Sequence, residues 1–418
     1  PISMLTSSQI TALSSDQLQA LSSRQLAGLT TAQLAGMASD DLRTLTSDQF
    51  QSLSTARLAA LGSEQLGNLG SDQLQLLTSA QLRGLTTKQI NTLGTEDLNV
   101  LTSEQFRQLT TTQIAALNSE QVGKLQSDDL AALTSGQIRA LTTKDIAALD
   151  STDMAALGSA QVAALTADQL RAVDTADLIG LHTDAISALT SAQLSGLTTG
   201  QLNALGSDQM QALGSAQLRG LGTAQLAALA SDHLNMLTSA QFQGLTSAQI
   251  AALTSGQIGN LESADLAALS SVQVRALSSA GISAMDSADL AVLGSAQVAA
   301  LTSDQLRAID SADLVGLNSD DIRALSGAQL ATLTSTQFNA LGTDQLAALT
   351  STQIANLGTS ALGRLATDHL NALSTDQIRA ITSAQLSAMD TAHIANLATD
   401  DLAALSRDRK STRLNSSH

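Results

Sequence analysis

The chain has 418 residues, a net charge of −17, 43% hydrophobic residues and 1% aromatics, with no Cys, Trp or Tyr and a single Pro at position 1. The lack of Cys excludes disulfides, thiol catalysis and Cys-ligated zinc, and the acidic balance argues against nucleic acid and anionic membrane surfaces as partners. The hydrophobic share is too large for a disordered acidic chain, and no apolar run approaches the roughly 20 residues of a membrane span.

The chain opens inside a repeat. Counting in eights from Leu5, Ile2 falls on position 6 of an octad, and Leu13, Leu21, Leu29, Met37 and Leu45 follow on position 1. The count continues to Leu397 without insertion or deletion, giving 50 octads. Position 1 is always aliphatic or Met, and position 6 is always apolar, holding all four Phe (Phe50, Phe106, Phe242, Phe338). Position 3 is Ser or Thr except at Ala167 and Gly327, and position 5 is mostly Gln or Asp. The consensus reads Leu-Thr-Ser-Xaa-Gln-Leu-Ala-Ala.

One continuous helix does not fit, because eight residues at about 100° each drift by about 80° per octad and leave no apolar stripe. A β-solenoid does not fit either, since Ala, Leu and Gln replace the alternation and β-branching of strands. One short helix per octad does. Thr or Ser at position 2 and Gln at position 5 have capping-box spacing, and Leu at positions 1 and 6 would form a hydrophobic staple. Acids such as Asp48, Glu64, Asp72, Glu104 and Asp304 fall in the first turn, and Arg83, Arg107, Arg139, Arg171 and Arg219 fall at position 7 near the end. Both placements complement a helix dipole. A second register is open. Position 3 is more uniformly hydroxylic, and Gly206, Gly214 and Gly222 at position 2 would suit a helix ending at position 1 with Ser as the next N-cap.

Helices this short do not survive alone. Ordering eight residues costs on the order of 8–16 kcal/mol of backbone entropy, and burying two aliphatics returns roughly 3–6 kcal/mol. Neighbouring octads must therefore stabilise one another, as in a solenoid. The expected fold is an all-α solenoid of residues 1–405. Two octads per coil is the simplest arrangement, and at a stacking distance of about 9 Å it would make a rod on the order of 200 Å long. Three octads per coil satisfies the same pattern.

After Leu405 the pattern stops, and residues 406–418 read SRDRKSTRLNSSH, with four basic residues and one acid. From Asp408 to His418 this stretch resembles the translation of a common sequencing-library adapter, so it is expected to be a disordered, artefactual tail. The array is expected to be an open-ended piece of a longer repeat protein.

No catalytic, metal or cofactor constellation is found. His233, His369 and His393 stand at position 5 in place of Gln, and His182 stands at position 2. No two share a helical spacing, so they read as surface or capping residues, not ligands. Asp40–Asp41, Asp128–Asp129, Asp320–Asp321 and Asp400–Asp401 are acid pairs, but no EF-hand loop accompanies them, and they read as helix-start acids. There is no nucleophile elbow and no phosphate loop. The expectation is therefore no catalytic residue, no cofactor, no metal and no small-molecule substrate.

The octads of residues 2–405 resemble the Leu-Thr-Ser-Xaa-Gln-Leu-Ala-Ala arrays of large bacterial surface or secreted repeat proteins of adhesin-like type. The resemblance implies a non-enzymatic spacer or stalk at the cell surface or outside the cell. The rival expectation is a solenoid that grips a protein or peptide, or a cell-surface partner. Position 4 varies mainly among Ala, Asp, Glu, Gly, Thr and Lys, with no aromatic anchor and Arg only at Arg24, which favours the stalk.

Overall fold

The computed structural model describes residues 2–363 and 365–405. The tail lies outside the described residues. Every described element is helical, and the chain divides into two units, Pro1–Leu213 and Gly214–His418.

Each octad supplies one helix of four to six residues with few exceptions. Ser135–Ala140 is representative. Thr134 is its N-cap (φ −71°, ψ 157°), its hydroxyl accepts from the Gln137 N–H, and the Gln137 side chain accepts from the Thr134 N–H. The cap is thus at position 2 and the box Gln at N3, which settles the register. Leu133 and Ile138 occupy N′ and N4 and are both buried, as the staple requires. Gly at position 2 is not a left-handed C′ residue. Gly206 and Gly214 are N-caps in extended conformation, and no described residue has positive φ.

The coil holds three helices, not two. In the first unit Ser79–Gly84 packs against Thr55–Ala59 and Ser103–Gln108, in each case 24 residues away. In the second unit Ser271–Ala276 packs against Ser247–Ala251 and Ser295–Ala300 by the same step. The cause lies in the linker. Positions 1 and 2 are two successive extended residues, as in Leu133 (φ −60°, ψ 137°) and Thr134. A pair of antiparallel helices needs a reversal, usually through a left-handed residue. Extended linkers turn the chain less sharply, so three are needed to close a coil. Leu at positions 1 and 6 from all three sides fills the interior, with Phe106 and Phe242 fully buried.

Two octads depart from the pattern. Leu178–Gly180 and Asp313–Gly316 are 3-10 helices. In both, a β-branched residue and Gly occupy positions 7 and 8 (Ile179–Gly180, Val315–Gly316), a poor helix end.

Candidate functional site

The buried polar side chain repeated most often is Gln at position 5. Gln137 is buried, and its Oε1 accepts from the Thr134 N–H at 2.8 Å and hydroxyl at 3.0 Å. Its Nε2 donates to the Phe106 and Leu109 carbonyls, both at 2.8 Å, at the end of helix Ser103–Gln108 and the start of the linker that follows it. One side chain therefore caps its own helix and bonds the previous coil. Gln49, Gln113 and Gln169 do the same in the first unit, and Gln249, Gln305 and Gln353 in the second. Gly caps keep half of the box: the Gly206 N–H donates to Gln209 Oε1 at 3.0 Å, and Gln209 Nε2 reaches the Leu178 and Leu181 carbonyls. These Gln residues form a buried ladder whose amide groups are satisfied at both ends. Capping-box spacing shows only the near end in the sequence.

Position 7 bonds the opposite way along the stack. Arg83 Nε donates to the Gln108 carbonyl at 3.1 Å, Arg171 Nε to Gly196 at 3.1 Å and Arg219 Nε to Gly244 at 2.9 Å. These Arg residues thus cap the last turn of the helix one coil ahead, in addition to lying at the end of their own. Some position 3 hydroxyls also bridge coils, as Ser135 does to the Ala160 carbonyl at 3.1 Å.

The four repeat His stay apart. His182 is an exposed N-cap without a side-chain cap bond. His393 takes over the ladder geometry, with Nε2 2.8 Å from the Leu365 carbonyl and Nδ1 2.6 Å from Asp390. The His393 N–H, with the ring beside it, holds the Asp390 carboxyl below its ordinary range. His233 and His369 keep a buried Nδ1 without a partner. The acid pairs splay: Asp128, Asp320 and Asp400 are exposed, whereas Asp129, Asp321 and Asp401 are buried. Among the described residues no three His, Cys, Asp or Glu side chains group as a metal site.

Asp at position 5 has a different cost from Gln. Burial pushes the Asp153 carboxyl above the ordinary range; the Asp150 N–H opposes this, and the Asp150 and Asp177 carboxylates add to it. Asp289 repeats the pattern with Asp286 and Asp313. A raised folded-state pKa means that the contribution to stability is full below the unfolded value and is lost as pH rises through the folded one. Asp153→Gln with Asp289→Gln is therefore expected to raise stability at pH 7 by about 1 kcal/mol. The gain should shrink as pH falls into the carboxylate range. Denaturant midpoints across pH check this, and a gain independent of pH would refute it.

A longer period is also visible. Residues 101–236 and 237–372 align without gaps at a shift of 136 residues, pairing Phe106 with Phe242, Asp129 with Asp265, Arg171 with Arg307 and His233 with His369. The period extends to cavities. One of about 350 Å³ is lined by Ile179, His182, Thr183, Asp208 and Gln209, and one of about 380 Å³ by their counterparts Val315, Asn318, Ser319, Asp344 and Gln345. Ile179 is 62% exposed and Val315 65%.

Cap, staple and ladder, recurring along the octads and closed every third, define a repeat protein of solenoid type. The model of the ALTTAQ repeat matches the chain in overlapping segments over residues 34–79, 92–159 and 170–399, well over half its length. The chain belongs to the ALTTAQ repeat family. Leu29–Gln33 reads LTTAQ, the linker, cap and box Gln of one octad. A solved structure of the leucine-rich repeat-containing protein LegL7 from Legionella pneumophila is similar at 16% identity over 62% of this chain and 80% of that one, with a TM-score of 0.13. No curated protein matches in sequence.

Proposed function

We propose that the array is a non-enzymatic spacer within a larger surface or secreted protein. The observation that carries this reading is the uniformity of the Gln ladder, in which the same side chain serves capping and coil-to-coil bonding in both units. A spacer needs length that grows by adding equal modules, and nearest-neighbour stacking supplies it. No described helix is long and apolar enough to cross a membrane. The test is small-angle scattering on variants lengthened by three and six octads. A maximum dimension that rises in proportion supports the spacer, and one that stays fixed overturns it. Inserting four residues after Leu253 should disrupt helicity locally, whereas inserting eight should not; circular dichroism distinguishes them.

A second reading, a peptide-binding scaffold, is favoured by the two matching cavities with an exposed aliphatic beside Asp208 and Asp344. Panning of basic peptides with one large apolar residue, repeated on Ile179→Asp/Val315→Asp, tests it.

A further inference from the structure

In the Gln octads the amide nitrogen stands in a nest of carbonyl oxygens. Gln105 Nε2 is 3.0 Å from Leu74 O, 3.2 Å from Gln75 O and 3.1 Å from Leu77 O. Gln273 meets Phe242, Gln243 and Leu245 in the same way. The three oxygens come from residues 31, 30 and 28 positions back, so the nest belongs to a helix end with the linker after it and not to the Gln. At Asp129 the corresponding carbonyls are those of Leu98, Asn99 and Leu101. Asp is one methylene shorter than Gln, brings no hydrogen and adds a negative charge.

The Asp129 side chain is placed and incompletely satisfied. It is only 3% exposed, its Oδ1 accepts from the Ser103 hydroxyl at 2.9 Å, and its Oδ2 is buried without a partner. Asn99, in helix Thr95–Val100 just before that linker, donates from Nδ2 to the Lys124 carbonyl at 2.8 Å, and its Oδ1 is also buried without a partner. Other Asp residues at position 5 differ. Asp145 Oδ2 accepts from the Thr142 N–H and hydroxyl, and Asp321 Oδ2 from the Asn318 N–H. Position 2 before Asp129 is Gln126, which makes no side-chain cap bond.

The positions recur at the 136-residue period, with the unpartnered carboxylate oxygen itself seen at Asp129. Asp265 accepts from Ser239 at 2.9 Å and follows Glu262. The helix end one coil back holds Asn235, whose Nδ2 donates to Asn260 O at 2.8 Å and whose Oδ1 is buried without a partner. Asp401 follows Ala398, and Asn371 Nδ2 donates to Asn396 O at 3.0 Å. Each octad carries a second acid, Asp128, Glu262 or Asp400, close enough to act on its buried partner.

We propose that Asp129, and with it its counterparts Asp265 and Asp401, bind a hard cation, calcium or sodium, between the carboxylate and the carbonyl oxygens of the helix end and linker one coil back. Carboxylate, amide and main-chain oxygens are the ligands such ions take. The cation supplies the positive charge that the Gln amide hydrogens supply elsewhere in the ladder. One carboxylate with main-chain oxygens is a site that a search for clustered acids passes over. It stands apart from the spacer reading, and either can fail without the other.

The test is thermal unfolding of the full chain, stripped with chelator, in tetramethylammonium, sodium or calcium chloride at equal ionic strength. Calcium or sodium is expected to raise Tm by about 2–4 °C over tetramethylammonium, and which one does so identifies the ion. The triple variant Asp129→Gln/Asp265→Gln/Asp401→Gln restores the repeat consensus, so it is expected to fold at least as stably and to respond to neither. A control removing three exposed acids, Asp48→Asn/Asp208→Asn/Asp304→Asn, should keep the response. Equal Tm in all three salts, or an unchanged response in the triple Gln variant, overturns the proposal.

Discussion

Gln137→Met is expected to cost about 3–5 kcal/mol of local stability, a large loss for one near-isosteric substitution at a buried position. Met fills nearly the same volume, so packing changes little. What changes is the hydrogen bonding. The Thr134 N–H loses its acceptor and the Leu109 carbonyl its donor, while the Phe106 carbonyl keeps only the Leu109 N–H. Each buried orphan costs roughly 1–3 kcal/mol, with some relief from water at the linker. Because each helix depends on those one coil away, the loss should appear at two places at once. Hydrogen exchange should rise in octads 101–108 and 133–140 and spare octads further along. Loss confined to octad 133–140 would show that the ladder caps helices but does not join coils.

Gly180→Ala should cost about 3 kcal/mol or more. A Cβ there would overlap the Ser151 carbonyl oxygen and lie against its carbonyl carbon, and a Cβ at Gly316 would meet Ser287 likewise. Main-chain atoms cannot rotate away as a side chain can, so a whole coil must shift. Gly256→Ala is the opposite case. Nothing stands within 4 Å of its Cβ, in helix Ser255–Ile258, and φ is negative. It should gain about 0.4–1 kcal/mol from the unfolded chain's lost freedom. Denaturant unfolding of the two single variants compares them directly, and equal effects would contradict the close approach at Gly180.

The octad was legible because its signals are local. Thr134, Gln137 and the Leu133–Ile138 staple sit within six residues of one another, and cap chemistry alone predicts their helix. The alternative register failed on Gly206 and Gly214, because Gly serves as an N-cap as readily as a C′ residue, and sequence does not distinguish extended φ from left-handed φ. The number of helices per coil was not legible. It depends on how far Leu133 and Thr134 turn the chain, and position 1 reads Leu in either geometry. The far ends of the Gln and Arg side chains were hidden for the same reason, since their acceptors are main-chain carbonyls, which every residue has. Asp–Ser pairs such as Asp129–Ser103 do leave a trace at a spacing of 26, but Ser fills position 3 so generally that the trace is lost in the background.

The Gln links join each linker to the coil before it and span only 28 to 31 residues of chain. A tensile load applied along the stacking direction would therefore act on successive rows of amide–carbonyl bonds in series, with no long-range staple to share it. The weakest row should yield first and release one coil's worth of chain, 24 residues, while the rows beyond it hold. In an optical trap such a chain should extend through many small, reversible steps and behave as a shock absorber, not as a rigid tether that snaps once.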